Sequence, residues 1–213
     1  MTKDRTLHTS NYKQEGNVCL LDSYGFLLEY AIPRKDGVIF DFYDLFIKYM
    51  QFHNTLDPAT IPSKTELVNN PARCELFIGT TLNRYCQTHG DIAGYEQIER
   101  FHDYLISINA ISGIECIIRK PDSGMDRSHP IPDAVRELKS FLLQNANNAD
   151  HYYAAMILFL VGTKAHSVFL GYDNDFYIRD GNFDHVCGNT GSFGFVFDDN
   201  SQICEYMIFK ISK

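Results

Sequence analysis

The run from Tyr152 to Val161, YYAAMILFLV, constrains this chain more than any other stretch. It is too apolar and too rich in aromatic and branched side chains to be a surface loop, so it reads as a strand, and Gly162-Thr163-Lys164 supplies the turn that ends it. A second apolar run, Ser167 to Tyr172, opens at His166. Asp173-Asn174-Asp175 then turns the chain, and Phe176 to Arg179 returns it to Asp180. In an antiparallel hairpin the start of the first strand lies opposite the end of the second, so the imidazole of His166 and the carboxylate of Asp180 are expected side by side.

A carboxylate beside a histidine fixes its tautomer and stabilises the imidazolium, freeing the other ring nitrogen to act on a nucleophile. The nucleophile must come from elsewhere. Near the N-terminus, QEGNVC precedes LLDSYGFLLEYA, which carries Leu20, Tyr24, Leu27, Leu28 and Ala31 on roughly one helical face. Cys19 is therefore expected at a helix N-terminus, a position where the helix dipole and free N–H groups favour an anion. The backbone N–H of Cys19 and the side-chain amide of Gln14 are the candidate donors to a developing oxyanion.

The order Cys, His, Asp, with an amide a few residues before the Cys, resembles the papain-like cysteine hydrolases. The segment HSVFLGYDNDFYIRDGNFD is similar to the His-strand-turn-strand-Asp-Pro-Asn segment of the YopT-like bacterial effector peptidases, with Gly181 where that family usually has Pro. No Trp follows Cys19 and the cathepsin signature is absent, which sets the chain apart from ordinary papain-type proteases. The resemblance implies a papain-like α+β fold with Cys19 as nucleophile, His166 as general base and then acid, Asp180 as orienter, and Gln14 at the oxyanion. It further implies a protein substrate, and a bacterial effector that acts in the bacterial cytoplasm or in that of a host cell. Transglutaminase-like proteins and deamidases share the same order, so peptide cleavage, glutamine deamidation and acyl transfer all stay open. The alternative is a non-catalytic binding or scaffolding protein on the same fold.

With 213 residues, 45% of them hydrophobic and 22% charged, the chain is long enough for one domain that buries a core without disulfides or metal. The expected organisation is a loose arm over 1–13, a mainly helical part over 14–110 and a mainly sheet part over 111–213. A net charge of −8 disfavours nucleic acid or an anionic membrane as the main partner. The six cysteines are irregularly spaced with no CxxC pair, as expected of thiols in a reducing compartment. No apolar leader opens the chain and Tyr152–Val161 is too short to span a bilayer, so no stable membrane insertion is expected. No cofactor is expected either: Cys86 with His89, and His185 with Cys187, lack the matched second pair of a zinc site.

Taken in order, Pro33 to Gly37 reads as a break after the Cys19 helix, and Asp41 as the cap of a helix carrying Leu45, Phe46 and Tyr49. Asn70-Pro71 starts another helix that ends near Gly90, and Ile92 to Ala110 carries the clearest apolar stripe, Tyr95, Ile98, Phe101, Leu105 and Ile108. Ile114 to Lys120 is strand-like and Pro132-Asp133 opens a further helix. Phe193–Phe197 and Ile203–Ile211 complete the sheet. The long loop from Pro121 to Pro132, with Met125, Arg127 and His129, is expected to border the Cys19 cleft and to contribute to substrate choice.

Overall fold

The computed structural model describes residues 19–36, 40–53, 61–70, 95–120, 131–161, 164–180, 183–188 and 201–213. Its helices are α1 (Cys19–Asp36), α2 (Phe42–Phe52), α3 (Lys64–Asn69), α4 (Tyr95–Ser107) and α5 (Ile131–Gln144). Its strands are β1 (Ile114–Lys120), β2 (His151–Val161), β3 (Lys164–Tyr172), β4 (Phe176–Asp180), β5 (Phe183–Gly188) and β6 (Ser201–Ser212). The strands form one antiparallel sheet in the order β1-β6-β2-β3-β4-β5. This is a mixed α+β architecture with helices mainly N-terminal and the sheet mainly C-terminal.

β2 has no polar face because it is covered on both sides. Ala154, Met156 and Leu158 join a cluster with α1, α2 and α4, whereas Ala155, Ile157 and Phe159 join a second cluster with Val135, Leu138 and Leu142 of α5. β6 divides in the same way, with Met207, Phe209 and Ile211 on the α1 side and Tyr206 and Ile208 on the α5 side. Period-two alternation thus persists, but both sets of side chains are apolar.

α1 is the central helix of the larger cluster. Leu20, Leu21, Tyr24, Phe26, Leu27, Leu28, Tyr30 and Ala31 are all buried, so the single apolar face expected of it is in fact burial nearly all round. The helix also continues through Pro33 to Asp36, where the sequence suggested a break. Proline cannot donate to the carbonyl one turn back. The end of the helix is held instead by Arg34, which donates to the Tyr30 carbonyl (3.0 Å) and to Asp173 (2.8 Å) and lies over the Tyr30 ring.

The other helices follow local signals. Asp41 caps α2 by accepting from the Tyr43 N–H (3.0 Å), and Phe42, Leu45, Phe46, Tyr49 and Met50 form its buried stripe. α3 is an element the sequence reading did not anticipate, although Ser63-Lys64-Thr65-Glu66 is its capping box: Ser63 accepts from the Glu66 N–H, and Glu66 accepts from the Ser63 N–H at 2.8 Å. β5 was likewise not anticipated. The apolar stripe of Ile92–Ala110 corresponds to α4 at the buried Ile98, Phe101 and Leu105, whereas Ile108 lies past the end of the helix and is exposed. The helix expected from Asn70-Pro71 to Gly90 and the strand at Phe193–Phe197 lie outside the described residues.

Among the described residues no helix is long and apolar enough to cross a membrane.

Candidate active site

α1 lies along β3 and β4, and its anchors fix how far it has slid. The Tyr30 hydroxyl donates to the Tyr172 carbonyl (2.9 Å), and Arg34 pairs with Asp173 at the β3–β4 turn. Asn174 makes that turn with a φ of 61°, a left-handed conformation that asparagine tolerates. Counting back from these anchors, the helix rises ~22 Å from Arg34 to Cys19, and β3 runs ~23 Å from Asp173 to His166. The first residue of α1 therefore arrives level with the histidine. The Cys19 thiol lies close enough to the His166 ring to act on its titration.

His166 and Asp180 meet through the hairpin. Leu170 pairs with Ile178 and Phe169 with Arg179, so the last residue of β4 is a diagonal neighbour of His166 on the same face, one step off the directly opposed arrangement expected from sequence. His166 Nε2 donates to Asp180 Oδ1 at 2.8 Å. With Nε2 committed to the carboxylate, Nδ1 is the nitrogen left for the thiol. Phe159, paired with His166 across β2 and β3, sets its ring 5.4 Å from the imidazole and nearly perpendicular to it. Opposite Leu158 and Phe159, β6 carries a bulge, a distortion often found beside sites.

The site is mostly shielded from solvent, with Cys19 and Asp180 buried and the His166 side chain 16% exposed. Burial alone would push the His166 pKa down. The hydrogen bonds to Asp180 and Cys19, together with the charges of both, outweigh burial and raise it to about 9. At neutral pH the ring is thus an imidazolium between two acidic partners. Cys116, the other cysteine with a described side chain, differs in kind: burial pushes its thiol up to about 12, which keeps it protonated and inert.

Three of the seven residues singled out in the sequence, Cys19, His166 and Asp180, are brought together. Gln14, Met125, Arg127 and His129 lie outside the described residues. Sequence reasoning passed over Asp22 and Ser23, both buried in the first turn of α1, and Ser167, buried beside His166. The signal for Asp22 was present as a carboxylate within the apolar first half of the helix, one turn on from Cys19 on the same face. Phe159 gave no signal, because it is one of many apolar residues in β2.

Among the described residues, no group of three His, Cys, Asp or Glu side chains is arranged to hold a metal ion. A cavity of about 500 Å³ lies elsewhere, between α4 and the β1–β6 pair, and is lined by Glu99, His102, Asp103 and Lys210 among others. No protein-family model matches the chain, and searches of curated proteins and of solved structures return no match.

Proposed function

We propose that this protein is a thiol-dependent hydrolase of papain-like type, with Cys19 as nucleophile, His166 as proton carrier and Asp180 as its orienter. One observation carries the reading: a histidine held at 2.8 Å by a buried carboxylate also feels a cysteine that opens a buried helix.

In this mechanism the Cys19 sulfur attacks the carbonyl carbon of an amide, and the oxygen becomes an oxyanion near the helix start, where the Cys19 N–H and the Gln14 amide would serve as donors. The imidazolium of His166 gives its Nδ1 proton to the departing nitrogen, leaving a thioester and a neutral ring. Water then loses a proton to that ring and attacks the thioester, which releases the acid and restores the pair. Asp180 keeps the ring in register throughout. If a peptide amide enters, the result is cleavage. If a glutamine side chain enters, it is deamidation, and an amine in place of water gives acyl transfer. The substrate class is protein, and the resemblance to effector peptidases supports a bacterial effector, with cleavage, deamidation and acyl transfer all open, acting in the cytoplasm of a bacterium or of its host.

A second reading, a non-catalytic binding protein on this fold, is favoured by the low exposure of Cys19, which is 9%. Iodoacetamide labelling at pH 6, read by peptide mass spectrometry, separates the two readings. The enzyme requires Cys19 to react much faster than Cys116, and uniformly slow reaction of both would leave the binding protein. Incubation with a cell lysate beside a Cys19→Ala control then reports new termini for cleavage or glutamine-to-glutamate conversion for deamidation.

A further inference from the structure

The site is assembled from two layers. His166 and Asp180 belong to the sheet, on the face of Phe159 and Ile178, whereas Cys19 belongs to a helix packed on the opposite face. Their separation is therefore set by how α1 is fixed along β3 and β4. Of the polar anchors described above, the Arg34–Asp173 pair is the more exposed, with Asp173 at 61%, and exposed pairs hold little.

A deeper anchor sits next to the site. Arg179 Nη1 donates to Glu29 Oε2 at 2.7 Å, with Glu29 only 9% exposed, and the same guanidinium lies 4.2 Å over the Phe26 ring. Arg179 is level with Phe169, ~10 Å along the strand from His166. Phe26 is ~10 Å along α1 from Cys19. The two distances match, so seating Arg179 on Phe26 is equivalent to aligning Cys19 with His166. Arg179 also immediately precedes Asp180, so a shift of this clamp is passed directly to the carboxylate.

We propose that Arg179, through Glu29 and Phe26, is a positioning residue that sets the alignment of the Cys19 thiol with the His166–Asp180 pair. The inference rests on the hydrolase reading above. A planar, permanently charged guanidinium suits the role because it satisfies the carboxylate and stacks on the ring at once, which a lysine ammonium cannot do equally well.

The test is the rate of Cys19 alkylation by iodoacetamide at pH 6 relative to pH 9, measured on the full chain for wild type, Arg179→Met, Arg179→Lys and Glu29→Gln. The expected result is a ratio lowered about tenfold to a hundredfold in Arg179→Met, the scale of an ångström-sized misplacement, with partial recovery in Arg179→Lys. Arg179→Met with a lower melting temperature and an unchanged ratio would make Arg179 structural and overturn the inference alone. A wild-type ratio as low as that of an ordinary thiol, whose reactive thiolate is scarce at pH 6 and abundant at pH 9, would overturn the hydrolase reading and this inference with it. Should Arg179→Met fail to fold, Glu29→Gln decides by the same ratio.

Discussion

Two histidines near α1, the buried His102 and the half-buried His166, show how partners decide what a side chain can do. His166 has an acidic group on each side, and its pKa is raised to about 9. His102, on α4, is set between neutral partners: its Nε2–H donates to the Ile114 carbonyl (3.0 Å), and the Tyr24 hydroxyl donates to its Nδ1 (2.7 Å). A carbonyl can only accept, so a single neutral tautomer satisfies both bonds. Burial then lowers the His102 pKa, against a small opposing pull from the Ile114 carbonyl and Asp103. Burial also raises the Tyr24 hydroxyl well above its ordinary value, which keeps it a donor. One ring is therefore a charge carrier and the other a buried strut between α1, α4 and β1, although both are largely buried.

The comparison breaks most sharply at Asp180. Asp180→Asn gives His166 a neutral partner, as His102 has, and should lower selective labelling of Cys19 at pH 6 by ~100-fold or more. The His166 titration followed by NMR should move down from about 9 in the same variant. Labelling at the wild-type rate would make Asp180 a bystander.

His102→Phe is the converse. It strands the Tyr24 hydroxyl and the Ile114 carbonyl in the core and should cost about 1–3 kcal/mol of unfolding free energy, with labelling of Cys19 unchanged. Loss of labelling in a folded His102→Phe protein would show that the two histidines are not independent.

The pH dependence of stability sharpens the contrast, because the two signs oppose. For His166 the folded pKa is raised, so its contribution is full below the ordinary value of 6.5 and is lost as pH rises through about 9. For His102 the folded pKa is lowered, so its contribution is full above 6.5 and is lost as pH falls below that value. In denaturant titrations, the stability gap between wild type and Asp180→Asn should narrow from pH 6.5 to 9, whereas the gap between wild type and His102→Phe should narrow on acidification. Gaps that stay flat with pH would mean that neither ring changes its pKa on folding.

The smallest expected effect is at Tyr24. Tyr24→Phe removes one hydrogen bond from the neutral network and should cost about 1 kcal/mol. In a double-mutant cycle with His102→Phe the two losses should fall short of additivity by about the same amount, and strict additivity would deny the bond an energetic role.

How much of this was legible beforehand depends on the distance along the chain. The His166–Asp180 pair was visible because one hairpin carries both residues, and strand periodicity with a polar turn fixes which ends meet. Asp41 as a helix cap and the stripe of α4 were visible for the same reason, since each is written within one or two turns. Pro33 misled, because the support that carries α1 past it comes from Arg34 and from Asp173, which lies 139 residues further on, in the β3–β4 turn. His102 gave no signal at all: Tyr24 and Ile114, its partners, sit on two other elements.

By itself, then, the sequence determined the local pieces: a cysteine opening an apolar helix, an antiparallel sheet built around β2, and a histidine and a carboxylate at neighbouring strand ends. Tertiary structure alone decided that α1 is buried nearly all round, that β2 is covered on both faces, and that Cys19 reaches His166. Those outcomes depend on how a helix is seated along two strands more than a hundred residues away, through Tyr30, Arg34 and the Glu29–Arg179 pair. Hydrophobic periodicity fixes which face of an element is buried, but not which partner covers it or where along that partner it comes to rest.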